Sequence, residues 1–258
     1  MKAGQRGHIV IGAGTYAPFV SVYRAIAQTH QKYPALVFEL HERDWRDIML
    51  ELLSGTLDLA VIDVSAANQT NDVEIEPLPR HACGICVRKN HPLTQRHALS
   101  ASDLMDYTYC GTYPSHWALE KAGFHGNIFG SAGKNFGHSG VALGAHTLSA
   151  VRHMIQISDA FGILPKILFH KKKTKALTDG VVLLDIPELS WLSTNYGLVW
   201  RRNRPPSPAA NVLMDEIRNI EAALVDEEVR LSLSVRSEEH TSELQSRQYL
   251  VCRLLLEK

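Results

Sequence analysis

Apolar runs alternate with helically spaced apolar positions along the first 64 residues. The run Ile9–Ile11 predicts a short buried strand, and the region 19–30 that follows has the spacing of an amphipathic helix. The apolar positions on that helix face are Phe19, Val22, Tyr23, Ile26 and Ala27. Alternating polar and apolar residues over Leu36–Leu40 then predict a half-buried strand.

A second helix and a third strand follow in the same order. Asp44 is placed as an N-cap, and Gly55 stands where a helix usually ends. The stretch Leu57–Val64 is almost continuously apolar, which predicts a central parallel strand covered on both faces. Together these elements give the order strand, helix, strand, helix, strand.

Composition limits the functions that remain open. The chain has 258 residues, enough for one large domain or two small ones, with 27 basic and 27 acidic side chains. A formal charge of zero gives no global attraction to nucleic acid or to a membrane surface. The N-terminus has no signal-peptide pattern and no stretch suits a membrane span, so we expect a cytoplasmic protein with reduced thiols.

The first candidate site is the glycine-bracketed turn after the first strand. The first amide groups of a helix lack internal partners, so a strand–turn–helix places donors beyond the strand end, where open α/β sheets bind ligands. Gly14, Thr15 and Tyr16 are therefore predicted ligand contacts, with Pro18 tolerated in the first turn. The alternative is an ordinary turn that needs its glycines only for backbone geometry.

Further candidate contacts lie after later apolar strands. Ser65 follows the third strand, and Thr112, Tyr113 and Ser115 lie in a turn that opens another helix. The alternatives are a polar residue at a strand end and a turn with an aromatic wedge. His146 is predicted to be a cleft histidine rather than a catalytic base, because no nucleophile-elbow motif accompanies it.

Enzyme and metal chemistry have weaker support. Cys83 and Cys86 have CxxC spacing, but on a strand residues i and i+3 point to opposite faces, so we expect neither a metal nor a redox site. A loose dinucleotide fingerprint runs from Gly12 to Ala17, with Glu39 or Glu42 at ribose distance. The dinucleotide interpretation is weakened by Pro18, which lies in the phosphate-facing turn.

An ordered set of short motifs resembles the effector-binding (substrate-binding) domain of LysR-type transcriptional regulators, from about residue 7 to about 225. The segments that carry the resemblance are Gly7–Gly12, Tyr33-Pro34, Leu52–Val61, Arg88–Leu93, Leu148–Ile157 with Gly162–Pro165, and Ser207–Ala210. The resemblance implies an α/β fold of two Rossmann-like subdomains joined by two crossing strands, similar to type II periplasmic binding proteins. The implied subdomains are 1–86 plus 196–235, and 87–195, with crossings near 82–88 and 195–200.

The resemblance also implies a function. We expect a non-enzymatic sensor without a cofactor or metal that captures a small organic anion between the subdomains. It implies homodimers formed through Phe19–Lys32 and Leu36–Leu40. The family's winged helix-turn-helix does not precede Gly7, so no specific DNA binding is expected of this chain alone. The alternatives are a solute-binding protein of the same fold and an NAD-dependent Rossmann enzyme.

The C-terminal tail differs from the rest of the chain. Residues 236–246 resemble an in-frame translation of a sequencing-library adapter. The alternative is an amphipathic helix that uses Leu250, Leu254 and Leu255. We treat 236–258 as a non-native tail and exclude it from the fold prediction.

Overall fold

A computed structural model describes residues 6–67, 70–112, 143–170 and 178–230. Ten strands are defined in these ranges: β1 Gly7–Ala13, β2 Leu36–Glu42, β3 Leu59–Asp63, β4 Val73–Pro77, β5 Cys83–Arg88, β6 Cys110–Gly111, β7 Leu143–Gly144, β8 Gly162–Pro165, β9 Val181–Leu184 and β10 Tyr196–Arg201. The helices are α1 Tyr23–Lys32, α2 Trp45–Ser54, α3 Val64–Ala67, α4 Leu148–Gln156 and α5 Ile167–His170. A π-helical turn, Pro18–Val22, leads into α1, and 3₁₀ turns cover Pro92–Gln95, Ala101–Asp106 and Pro187–Leu189.

The larger sheet has the strand order β2-β1-β3-β10-β4. Strands β1, β2 and β3 are parallel, as the βαβαβ pattern predicts. Each helical crossover returns the chain to the end of the sheet at which the previous strand began. The central strand begins at Leu59 rather than at Leu57, and Val64 already belongs to α3. It is buried from Leu59 to Ile62, but it pairs antiparallel with β10 on its other side, so it is parallel to only one neighbour.

The ends of α2 follow the local sequence. The Asp44 side chain accepts a hydrogen bond from the Arg46 amide at 3.0 Å, as an N-cap residue does. Gly55 ends the helix with φ 89°, a left-handed conformation that favours glycine. Ile48 and Leu52 are fully buried against the larger sheet in a cluster with Leu57.

A smaller antiparallel sheet has the order β8-β5-β9, and β6 pairs in parallel with β7. Helix α4 covers part of it and is capped by Thr147, whose hydroxyl accepts from the Ala150 amide at 3.3 Å. The core of this second region contains Phe161, Leu93 and Leu104, all fully buried. The segments Leu148–Ile157 and Gly162–Pro165, which carry part of the resemblance, correspond within one residue to α4 and β8.

Two chain segments, which run side by side, link the larger sheet to the smaller one. The Thr194 amide donates to the His81 carbonyl, the His81 amide donates to the Thr194 hydroxyl, and Ala82 bridges antiparallel to Ser193. Beyond them, β5 joins the smaller sheet and β10 joins the larger one. Two crossing segments are present, as the resemblance implied; the crossing positions near 82–88 and 195–200 and the division into the subdomains 1–86 plus 196–235 and 87–195 stay predictions.

A fully buried polar cluster lies beside these crossing segments. The imidazole Nε2 of His81 is 2.6 Å from Glu221 Oε2, and the Tyr196 hydroxyl donates to Glu221 Oε1 at 3.2 Å. His81 and Glu221 are both inaccessible to solvent. Because a buried carboxylate is costly without partners, these bonds fix the helix that carries Glu221 against the crossing.

The chain forms two compact units, Met1–Glu221 and Ala222–Lys258. The first ends in a helix over residues 208–221, here α6, in which Leu213 and Ile217 are fully buried. Arg218 of α6 forms two hydrogen bonds of 2.6 Å with the Glu76 carboxylate of β4. Residues 222–230 of the second unit are helical, and the tail 236–258 lies outside the described residues.

Along the described ranges, no helix has the length and apolar character needed to cross a bilayer.

Candidate functional site

The carboxyl ends of three parallel strands meet at one edge of the larger sheet. Residues Gly14–Tyr16 follow β1, Arg43 and Asp44 follow β2, and Ser65 lies in α3 directly after β3. Backbone contacts hold the ends together, because the Gly14 amide donates to the Val61 carbonyl at 3.0 Å. The structure therefore brings three predicted contacts to one edge and places Ser65 at the same edge.

The two glycines of the first turn have different roles, and neither has a left-handed φ. A Cβ atom on Gly12 would lie 2.6 Å from Ile48 Cγ2 and from Leu57 Cδ1, so glycine is needed there for α2 to pack on β1. A Cβ atom on Gly14 would meet only ordinary contacts, the nearest being Val61 O at 3.8 Å. Backbone geometry alone therefore does not explain Gly14.

Thr15 connects the end of β1 to the segment that follows β7. Its hydroxyl donates to the main-chain carbonyl of His146 at 3.1 Å, and Thr15 is buried. The segment is further held by the Ala145 amide, which donates to the Gly111 carbonyl at 3.0 Å. Two predicted site residues that are far apart in sequence therefore lie in direct contact.

Tyr16 and Tyr109 form a chain of hydroxyl groups across the same region. Tyr109 donates to the Thr112 carbonyl at 3.2 Å and is hydrogen-bonded to Tyr16. Because the Tyr109 proton is used on Thr112, Tyr16 is the donor in the bond between the tyrosines. A Cβ atom on Gly111 would lie 2.5 Å from the Tyr109 hydroxyl, so glycine makes room for this phenol.

The buried hydroxyl and thiol groups of this region are neutral. Burial, and after it the neighbouring Tyr109 hydroxyl, raises the pKa of Tyr16 well above its ordinary value. Burial likewise raises the pKa of Tyr109 and of Cys86, and it raises the pKa of the Cys110 thiol to about 11. Thiols with raised pKa values are protonated and unreactive at neutral pH, so the arrangement suits binding better than nucleophilic chemistry.

Asp44 is a buried acid at this site that sequence analysis identified only as a helix cap. It is 4 % exposed, and its Oδ2 lies 3.9 Å from Nδ1 of His146. The signal that identified the other contacts, a polar residue directly after a parallel strand, applies equally to Asp44. Tyr109 carried no such signal, because its position depends on packing between distant segments. We call Thr15, Tyr16, Asp44, Tyr109 and His146 the β1-end cluster.

The structure describes only some of the remaining predicted contacts. Thr112 is half-buried and takes part through its carbonyl, whereas Tyr113 and Ser115 lie outside the described residues. The two acids considered for ribose binding already have partners. Glu42 accepts from the Tyr23 hydroxyl, and Glu39 Oε1 is 3.0 Å from His41 Nε2.

Metal chemistry gains no support from the described part of the chain, where no group of three or more His, Cys, Asp or Glu side chains is placed to hold an ion. Cys83, Cys86 and Cys110 are buried, and none of the three forms a disulfide. A separate open groove of about 450 Å³ lies between residues 93–99 and strand β9. None of the β1-end cluster lines that groove.

Comparison with known proteins agrees with this architecture. The family described as the LysR substrate binding domain matches residues 2–221. The chain belongs to this family. The mixed α/β fold, with its two larger sheets and two linking segments, is accordingly that of LysR substrate-binding domains, which resemble type II periplasmic binding proteins.

Individual relatives of this LysR domain are regulators. The chain is 26% identical over 134 residues to the HTH-type transcriptional regulator AlsR of Bacillus subtilis, which covers 48% of this chain and 44% of AlsR. It is 23% identical over 112 residues to a probable RuBisCO transcriptional regulator of Chlorokybus atmophyticus, covering 43% of this chain and 36% of that protein. The aligned part spans less than half the length of these curated relatives.

Solved structures show the same fold at low sequence identity. The effector binding domain of QuiR in complex with shikimate has a TM-score of 0.61 and 19% identity, covering 84% of this chain and 98% of that chain. A putative LysR family transcriptional regulator from Pseudomonas aeruginosa has a TM-score of 0.59 and 19% identity, covering 83% of this chain and 71% of that chain.

Proposed function

We propose that this LysR domain binds a small organic acid at the β1-end cluster and acts as a sensor rather than an enzyme. The observation that carries the proposal is the contact between Thr15 and His146, which joins the end of β1 to a segment that follows β7. A ligand that contacts both segments changes the balance between their arrangements only by its different affinity for each one.

The chemistry of the cluster supports a polar, anionic ligand. The helix that follows Thr15 starts with the π turn at Pro18 and continues through α1, so its dipole favours negative charge at this edge. The tyrosine hydroxyls supply neutral groups beside it. The nearby thiols of Cys86 and Cys110 are buried and protonated, so neither is activated as a nucleophile.

In a complete regulator, such binding would change how a dimer is arranged on DNA. We propose that the dimer uses α1 and β2, because β2 is an edge strand of the described sheet and its Val37 is 59% exposed. We also propose a cytoplasmic location, which agrees with Cys83, Cys86 and Cys110 being buried and outside any disulfide.

A thermal-shift screen of the 258-residue chain tests the sensor proposal. The panel contains small carboxylates, aromatic acids, amino acids, metabolic phosphates and NAD, with shikimate included because a QuiR domain of this fold was solved with it. We expect the melting temperature to rise with an organic acid and to keep rising with its concentration, as linkage requires. A shift with NAD alone would favour a dinucleotide enzyme, and no shift with any organic acid would contradict the proposal.

A further inference from the structure

Asp44 uses only one of its two carboxylate oxygens. Oδ1 accepts from the Arg46 amide at 3.0 Å and from Arg46 Nε at 2.8 Å, so it both caps α2 and meets a positive charge. The side chain as a whole is 4 % exposed. The geometry of the cap fixes the carboxyl group and thereby fixes the direction of the second oxygen.

That second oxygen, Oδ2, is buried and has no hydrogen-bond partner among the described residues. Its neighbour across the site is His146 Nδ1, at 3.9 Å. This distance is too long for a hydrogen bond. Buried acceptors are nearly always satisfied, so an orphaned carboxylate oxygen at a binding edge calls for a donor from outside.

The group that covers Oδ2 is free to move. The His146 side chain is 47% exposed, whereas its main-chain carbonyl is held by Thr15. Rotation of the imidazole can therefore uncover Oδ2 without breaking the backbone contact. The same small region then offers an acceptor at Asp44 and a helix start that favours an anion.

We propose that the ligand carries a hydrogen-bond donor, a hydroxyl or an ammonium group, that Asp44 Oδ2 accepts, in addition to an acidic end. This inference rests on the proposed function and narrows it: the ligand is a hydroxy acid or an amino acid, not a simple monocarboxylate. A dicarboxylate is disfavoured, because its second carboxylate would face the buried Asp44 charge.

Matched probe pairs test the inference on the full chain. Each pair differs only in the donor groups: L-lactate and propionate, L-phenylalanine and 3-phenylpropionate, shikimate and cyclohex-1-enecarboxylate. Dissociation constants are measured by isothermal titration calorimetry. In the native chain we expect the donor-bearing member of at least one pair to bind at least about tenfold tighter, as the loss of one hydrogen bond to a charged group predicts.

Two variants assign that preference to Asp44. Asp44→Asn keeps an oxygen for the helix cap but replaces Oδ2 with an amide donor, so the preference within the pair should disappear or reverse. Asp47→Asn removes an equal charge from the same helix turn at an exposed position and should leave the preference unchanged. Circular dichroism and the melting temperature show whether each variant folds. If Asp44→Asn does not fold, the comparison of donor-bearing and donor-free acids in the native chain still tests the inference.

The outcomes separate the two proposals. Equal or tighter binding of the donor-free acids, or a preference that survives in folded Asp44→Asn, overturns the role of Asp44 and leaves the sensor proposal intact. Binding of none of these probes, together with no shift by any organic acid in the thermal screen, overturns the sensor proposal and this inference with it.

Discussion

The hydroxyl of Thr15 donates a hydrogen bond of 3.1 Å to the main-chain carbonyl of His146, 131 positions away in the chain. Thr15 comes directly after the turn that ends β1, and His146 precedes α4 beside the smaller sheet. One side chain therefore couples the edge of the larger sheet where the proposed site lies to the segment that precedes α4. The first prediction tests this bond.

Thr15→Val should lower the free energy of unfolding by about 1 kcal/mol, because an isosteric methyl group removes a partly buried hydrogen bond. It should also weaken binding of any organic acid found in the screen. Thr29→Val is the matched control: Thr29 is also buried, but its hydroxyl has no partner among the described residues, so stability should be unchanged or slightly raised. Urea denaturation measures the free energy of unfolding of both variants. An equal loss of stability in the two would contradict the importance of the bond to His146.

Gly12→Ala and Gly14→Ala should behave in opposite ways. A methyl group at Gly12 would lie 2.6 Å from Ile48 and Leu57 atoms and force α2 away from β1, costing about 1–3 kcal/mol. A methyl group at Gly14 meets no such clash, so stability should change by less than about 0.5 kcal/mol while ligand binding weakens. Chemical denaturation and calorimetry separate the effects, and normal ligand affinity in Gly14→Ala would place the ligand elsewhere.

Val37→Glu should weaken the proposed dimer. Val37 is 59% exposed on the edge strand β2, so burying a carboxylate there on association is unfavourable. Leu50→Glu is the control, because Leu50 is 67% exposed but lies on α2, outside the proposed interface. Sedimentation equilibrium should give a higher dissociation constant for Val37→Glu alone. A monomeric native chain, or equal effects of both variants, would refute this interface.

His41 should give a pH-dependent contribution to stability. Hydrogen bonds to Glu39 and then to Glu51 raise the pKa of His41 above 6.5, and the His41 contact lowers the pKa of Glu39 below 4.5. The histidine contribution is therefore complete below pH 6.5 and lost as pH rises through the raised pKa. The Glu39 contribution is present above pH 4.5 and lost as pH falls through the lowered pKa.

The difference in unfolding free energy between the native chain and His41→Gln should thus be larger at pH 5.5 than at pH 8.5. Urea denaturation at both values measures it, and an NMR titration of the His41 ring gives its pKa directly. The pair is partly exposed, so added salt should reduce the effect. A difference that does not depend on pH would contradict the assignment.

Glu221→Ala should be the most destabilising of these changes, by about 3–5 kcal/mol, because it removes the shared partner of two buried groups, His81 and Tyr196. Glu216→Ala, on the same helix and only half-buried, should cost much less. Glu221→Gln retains an acceptor for Tyr196 and should fall between them. Equal stability of the two alanine variants would show that the buried cluster contributes little.

The sequence by itself determined the local elements and their order. Periodic apolar positions identified β1 to α2, a capping aspartate and a glycine set the ends of α2, and strand-end polar residues located Gly14, Thr15 and Tyr16 at one edge. These features depend on interactions within a few residues, or on the rule that parallel strands end at the same side of a sheet.

Only the tertiary structure decided which distant groups meet. The antiparallel placement of β10 beside β3, the contact of Thr15 with His146, the tyrosine pair and the buried His81–Glu221 cluster all join segments with no local relation. No periodicity encodes such pairings, because they follow from how whole elements pack. Asp44 illustrates both cases. The sequence predicts its role as a helix cap, whereas its second oxygen, buried near His146, lacks a hydrogen-bond partner among the described residues only because of how distant segments pack.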